Sequence, residues 1–367
     1  MAVSSGYGRP DYPGRRCRFQ ALAQASGEVD GWLITRPANV RWLTGLDSSN
    51  AAVLLTGDRV VLATDSRYRQ QAAQTGPEVE LLIERDVAAA LLGWAQEAGL
   101  RRLAFESDDV SVGMAARWQE QVSLELRGLD SPVQTLREIK EVVEIDLLRR
   151  CGQIASEALQ SVESTVEVGM TEIVVARRLE LAMGQRGADD RAFETIVASG
   201  PNSAIPHHRP SQRAIEAGDL LTIDFGAKVD GYRSDCTRTY IVGADPQHWQ
   251  WEVFDAVERA AAAGRAALRA GAAYADVDRA ARAVVEAGGF GENFIHGLGH
   301  GVGLEIHEAP LLAARSVGRL ALGVVVTVEP GIYLPGRGGV RIEDTCLVTE
   351  DGALELTSVP REFRRLG

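Results

Sequence analysis

Cysteine is scarce in this 367-residue chain: Cys17, Cys151, Cys236 and Cys346 stand far apart, with no paired spacing. That excludes a disulfide framework or a zinc ribbon and suits a reducing cytoplasm. Long apolar runs are missing too. No stretch approaches the roughly 18–20 residues that a bilayer-spanning helix needs, so no membrane association is expected. The N-terminal MAVSSGYGRPDYPGRRC carries three arginines with no apolar core behind them, which speaks against a secretory signal. Basic residues are outnumbered, 39 against 51 acidic ones, for a net charge of −12. Such a balance disfavours nucleic acid as a partner. Lysine is nearly absent, with only Lys140 and Lys228. No internal repeat or low-complexity tract is evident. What remains, 45% hydrophobic and 25% charged, is ordinary globular composition and excludes a disordered chain. The length favours two domains.

Histidine is also sparse, yet unevenly placed. Of six, five (His207, His208, His296, His300 and His307) fall within about a hundred residues, beside glycine or proline or in loop-like stretches. The sixth, His248, lies in a polar segment and reads as surface.

Residues 1–15, rich in Gly, Pro and Ser, read as a loose arm. Over 16–135, short apolar runs bounded by turn residues (VDGWLIT, AAVLLTG, RVVLATD, VELLIE and LRRLAFE) read as strands. DVAAALLGWAQEAG reads as a helix ended by Gly99. Strands alternating with helices suggest a small α/β domain. After a turn at Asp130-Ser131-Pro132, Ile139, Val143, Leu147, Cys151, Ile154, Ala158 and Val162 recur at helical spacing. This helix opens a second domain, 136–367. Further helices are expected over about 171–186, 249–270 and 275–287, with antiparallel strands between and after them, an α+β mixture.

One hairpin gathers two aspartates. Leu220–Val229 alternates apolar and polar residues, Asp230-Gly231 makes a two-residue turn that needs positive φ, and Tyr232–Tyr240 returns. If Val229 opposes Tyr232, Asp224 faces Thr237 and Asp235 faces Gly226. The two carboxylates are then diagonal neighbours on one face, roughly 7–8 Å apart at the backbone. Thr222, Thr237 and Thr239 share that face, and Leu221, Ile223, Phe225, Cys236 and Tyr240 take the other. Close carboxylates repel, and a divalent cation relieves the repulsion. The alternative is two aspartates on a solvated strand.

His296, His300 and His307 lie in a stretch with glycine at every second position around His300, which lets the backbone approach a ligand closely. Glu329 ends the apolar strand Val324–Val328 at a Pro-Gly turn, where a surface glutamate is the plain alternative. Gly339–Val348 reads as one strand with Arg341 and Glu343 on the same face. Four carboxylates and one histidine suit two divalent ions, and such a pair activates water for hydrolysis.

At this point the chain resembles a known family. Asp224, Asp235, His300, Glu329 and Glu343 are similar in order and spacing to the dinuclear site of the pita-bread metallopeptidases. IDFGAKVDGYRSDCTRT, HGLGHGVGLEIHEAP, VTVEPGIY, RIEDT and SGPNSAIPHH look like its proline-specific branch. PANVRWLTGL and TDSRY resemble the creatinase/prolidase N-terminal domain. The resemblance spans about residues 30–360. It implies an α/β creatinase/prolidase-like N-terminal domain followed by an α+β pita-bread catalytic domain. It implies that Asp224 and Asp235 bind one metal, that Asp235, His300, Glu329 and Glu343 bind the other, and that Asp235 and Glu343 bridge. Glu329 would also take a proton from the attacking water. His207, His296 and His307 would surround the substrate, and Arg341 would orient a ligand or the substrate. The implied cofactors are two divalent ions, manganese first, with cobalt or zinc as alternatives. The implied substrate is a proline-containing di- or oligopeptide, and the implied assembly a homodimer.

An Xaa-Pro bond has no N–H and a rigid tertiary nitrogen, so it calls for a dedicated pocket, which Tyr333 would help to line. Within this reading, release of proline from dipeptides is preferred slightly over removal of the first residue from longer peptides, the aminopeptidase P reaction. Creatinase shares the fold without metals, and a non-catalytic binding protein would have lost ligands. The intact ligand set argues against both.

Overall fold

A computed structural model describes residues 8–367. The first half of the arm expected over 1–15 lies outside the described residues. Its end is not loose, for a helix begins at Tyr12 and runs to Ser26. The Asp11 side chain caps the Gly14 N–H, and Pro13 sits in the first turn, where its missing N–H costs nothing. Arg15 then buries its guanidinium against Trp42 and donates to the Trp42 carbonyl at 3.0 Å. Its partner is far along the chain, so composition could not show this anchoring.

Contacts divide the chain into two compact units, Arg9–Arg137 and Glu138–Gly367. The first unit holds a six-stranded mixed sheet. Five of its strands, Gly31–Ile34, Ala51–Thr56, Val60–Thr64, Glu80–Ile83 and Arg102–Glu106, fall on the apolar runs read from the sequence. The helix Val87–Glu97 lays Leu91, Leu92 and Ala95 on a core with Leu33, Leu54 and Val61. The edge strand Glu125–Leu129 and the helices Pro37–Thr44 and Val112–Gln121 were not read. Each is short, so its apolar residues show too few repeats to reveal a period.

The second unit is built on a nine-stranded sheet. Along its main path lie Glu308–Leu312, Gly299–Gly301, Val325–Val328, Glu343–Val348, Cys236–Val242, Leu220–Phe225 and Ile196–Ser199. Two helix pairs supply the cores. Val142–Glu163 and Glu172–Gln185 bury Ile154, Ala158, Leu159, Val175 and Leu179 with Leu221, Ile223, Phe225, Cys236 and Tyr240, the apolar side expected of the hairpin. His248–Ala267 and Tyr274–Ala287 bury Val257, Ala261, Val277 and Ala281 with Val326, Val328, Ile342 and Cys346. Each fully buried Val, Leu or Ile side chain stabilises the fold by about 1.5–3 kcal/mol. The first long helix begins at Val142, because Glu141 and Glu144 form a capping box there. Ile139 is therefore outside it, half-exposed, and pairs with Val324.

The hairpin register is the expected one: Val229 opposes Tyr232, and Asp224 opposes Thr237. Asp230 and Gly231 have φ of 46° and 82°, the positive values that the turn requires. The expected strand Gly339–Val348 is in fact two. Gly338–Arg341 pairs with Gly331–Leu334 in a separate ribbon, and Glu343–Val348 joins the main sheet. At the break, the Ile342 N–H turns to the Pro330 carbonyl, so the chain changes partners between Arg341 and Glu343.

Candidate metal centre

The hydroxyl-rich face of the hairpin is buried, not solvated: Asp224 is 8% exposed and Asp235 5%. Strand pairing places the first acid, and threonines place the others. Asp224 sits in register between Ile196 and Thr237. The Asp235 N–H donates to Thr345 Oγ1 at 3.3 Å, and that hydroxyl donates back to the Asp235 carbonyl at 2.8 Å. Thr237 Oγ1 donates to Glu343 Oε2 at 2.6 Å. Thr327 Oγ1 accepts from the His300 N–H at 3.1 Å and lies 3.4 Å from Glu329 Oε1.

The glycines around His300 admit neighbouring backbone. A methyl group on Gly299 would stand 2.0 Å from the Thr327 carbonyl oxygen, and one on Gly301 would stand 2.2 Å from that of Ala309. They let the neighbouring chain segments close in and so carry the His300 imidazole inward.

One cavity of about 750 Å³ is lined by all nine residues expected at the site. At its base, Asp235, His300 and Glu343 each offer a ligand atom within 4.8 Å of the others. His300 Nε2 lies 3.3 Å from Glu329 Oε1 and 3.7 Å from Asp235 Oδ2. Arg341 Nη2 donates to Asp224 Oδ2 at 2.6 Å, and Nη1 donates to the Tyr333 hydroxyl at 2.9 Å and to the Pro206 carbonyl at 3.3 Å. His296 faces Tyr333, Nε2 to hydroxyl 3.0 Å, and its Nδ1 meets the Gly297 carbonyl at 2.8 Å. The His307 ring packs edge-on against His300 with centroids 4.4 Å apart. His207 lines the cavity from an exposed position.

The electrostatics call for a cation. Burial, then Glu343, Asp224 and Glu329, push the Asp235 carboxyl well above its ordinary range. Burial and the charges of Glu329 and Asp224 do the same to Glu343. Burial works against charge on Glu329 too, but the hydrogen bond and charge of His300 hold it low. Burial opposes a charged His300, and Glu329 outweighs it and raises that histidine. Burial lowers His296 and His307, the latter helped by His300. Burial lifts the Tyr333 hydroxyl to about 12.

The donor set fits divalent metal ions. His300 Nδ1 faces the Gly301 carbonyl at 3.0 Å. A carbonyl only accepts, so Nδ1 carries the proton and Nε2 turns its lone pair to the carboxylates. That arrangement needs a proton or a cation between them. Asp224 Oδ1 is buried with no hydrogen-bond partner, an orphan acceptor that a metal ion would satisfy. Hard oxygens and one imidazole match such ions.

Comparison with known proteins decides the family. Residues 146–350 match the metallopeptidase family M24, and residues 15–139 match the creatinase/prolidase N-terminal domain. This chain belongs to metallopeptidase family M24. It is therefore an enzyme, a metallopeptidase with the two-domain pita-bread architecture that the resemblance implied. The family implies divalent metal ions. The chain is 35% identical to a protein named Xaa-Pro dipeptidase of Pyrococcus furiosus, over 94% of this chain and 99% of that one. Its fold is similar to the Xaa-Pro dipeptidase structure from Bacillus anthracis, with TM-score 0.93, 37% identity and coverage of 97% and 100%. It is also similar to the X-Pro aminopeptidase structure from Thermotoga maritima, with TM-score 0.88, 33% identity and coverage of 96% and 99%.

Three features of this M24 metallopeptidase escaped the sequence. His208 lines the same cavity but its Nε2 is engaged by Glu172 at 2.7 Å. Arg282, bound to Asp278, donates to the carbonyls of Phe294 and His296 at 2.9 and 2.8 Å and so holds the His296 loop. Lys140 forms a buried 3.1 Å pair with Glu308, the residue after His307. No periodicity links such distant partners. Among the described residues, no helix is long and apolar enough to cross a membrane.

Proposed function

We propose that this chain hydrolyses the peptide bond before proline with two divalent ions, and acts on Xaa-Pro dipeptides before longer peptides. One observation carries the reading: five ligand-type side chains, three histidines and Arg341 converge on one cavity. Asp224 and Asp235 would hold one ion. Asp235, His300, Glu329 and Glu343 would hold the other, with Asp235 and Glu343 shared. Manganese is the first candidate, then cobalt or zinc. When bound, two such ions supply Lewis-acid polarisation of water and carbonyl.

The chain's own residues do the rest. Glu329 takes the proton of the attacking water on its carboxylate. His207, His296 and His307 orient the peptide, and neutral His296 and His307 are able to accept a proton or polarise a carbonyl. Arg341 keeps Asp224 in place and also holds Tyr333, which would help to line the proline pocket. A tertiary amide has no N–H to grip, so recognition falls to the shape of this cavity.

The dipeptidase preference is supported by the name of the Bacillus anthracis structure, and the Thermotoga maritima structure keeps the aminopeptidase P reaction as the second reading. A cytoplasmic homodimer is the proposed setting. An assay of an Xaa-Pro dipeptide beside an Xaa-Pro-Xaa tripeptide tests this, with products separated by chromatography. Faster turnover of the tripeptide would reverse the preference, and turnover of neither would end the proposal.

A further inference from the structure

Glu172 is the first residue of the helix Glu172–Gln185, and its side chain is wholly buried. Its two oxygens accept hydrogen bonds from one segment at two places. Oε1 accepts from the Ser199 N–H and hydroxyl at 2.7 and 2.8 Å and from Asn202 Nδ2 at 2.9 Å. Oε2 accepts from His208 Nε2 at 2.7 Å and from the Ser211 N–H and hydroxyl at 2.9 and 2.6 Å. A carboxylate offers about four lone-pair positions, so this one is saturated from both sides. Burial opposes its charge, but the Ser211, Asn202 and His208 donors prevail and hold it near 2.

Between the two gripped ends stands His207, exposed on the cavity wall. On the cavity side, the same segment is touched by Arg341 through the Pro206 carbonyl, at 3.3 Å. The backbone that carries His207 is thus fastened at Glu172 through its neighbour His208 and meets Arg341 through its neighbour Pro206.

We propose that Glu172 is a positioning residue for His207: by holding both ends of 199–211 it sets where that imidazole meets the substrate. The inference rests on the reading of His207 as a substrate-facing group. A neutral amide cannot replace the carboxylate, since its NH₂ would face donors.

The test is a double-mutant cycle on the metal-loaded full chain, with Glu172→Gln, His207→Ala and the pair, read as kcat and KM for an Xaa-Pro dipeptide. His207→Ala is expected to lower kcat by about a hundredfold, the low end for a group moving a proton. Glu172→Gln should lower kcat at least about tenfold with KM nearly unchanged, and should cost under about threefold more once His207 is absent. Amide exchange should rise in 199–211 and stay unchanged in 220–242. If Glu172→Gln folds poorly, Ser211→Ala removes one donor and should show the same pattern more weakly. Additive losses, or unchanged exchange in 199–211, overturn the proposal. Full turnover in His207→Ala overturns the role of His207 itself, and the positioning claim with it.

Discussion

Arg341 holds one oxygen of Asp224 and leaves the other free. Its Nη2 stands 2.6 Å from Oδ2, while Oδ1 is buried without a partner. The guanidinium therefore fixes the carboxylate plane and reserves one lone-pair set for a cation.

Arg341→Met would strand that charge. Removing one partner of a buried ion pair costs about 3–5 kcal/mol, so the urea midpoint should fall sharply in metal-free protein. Arg341→Lys should restore little, because a single ammonium cannot span Asp224, Tyr333, Thr237 and the Pro206 carbonyl. Wild-type stability in the Met variant would show that the pair contributes nothing net.

Glu329→Gln keeps the shape and removes the proton acceptor. Turnover at saturating metal should fall by about 10²–10⁴-fold, the usual worth of a positioned acid or base, while the fold survives and metal binding weakens as expected of a lost ligand. Circular dichroism and elemental analysis separate loss of chemistry from loss of fold or metal. Turnover within a few-fold of wild type would remove Glu329 from proton transfer.

The hairpin was readable because its side chains alternate with a period of two and Asp230-Gly231 sets the turn, so one assumed pair placed Asp224 opposite Thr237. Glu329 was readable because an apolar strand stops there. The break at Ile342 was not, since period two looks the same whether Arg341 and Glu343 share one strand or lie on two. Glu172 was hidden for another reason. It accepts from residues 27 to 39 positions away, and a saturated carboxylate at a helix start looks in sequence like any acidic first turn. The same holds for Lys140 and Glu308, 168 residues apart.

Metal binding should depend on pH in a stated direction. Burial and neighbouring carboxylates raise Asp235 and Glu343 in the metal-free fold. A raised carboxyl stabilises fully below its unfolded value, near about 4, and that contribution is lost as pH climbs through the folded value. The raised His300 runs the same way, and the lowered Glu329 acts only as pH falls below about 4. Asp235, Glu343 and His300 therefore weaken the metal-free protein as pH rises, the lowered His296 and His307 oppose them up to about pH 6.5, and cation binding strengthens as its ligands lose protons. The Tm gap between manganese-loaded and chelator-treated protein should widen from about pH 5 to 8. A constant gap would mean that no protons leave these carboxylates on binding.

Gly299→Ala tests what the glycines around His300 are for. Its Cβ would lie 2.0 Å from the Thr327 carbonyl oxygen, a backbone atom that no rotamer change can move. The strand Val325–Val328 would have to shift, and overpacking of this kind costs about 1–3 kcal/mol or more. Thr327 and His300 would move apart, so stability and metal affinity should fall together, read by thermal melts and metal titration. Loss of peptide binding with normal stability and metal affinity would instead mean that the glycine makes room for the substrate.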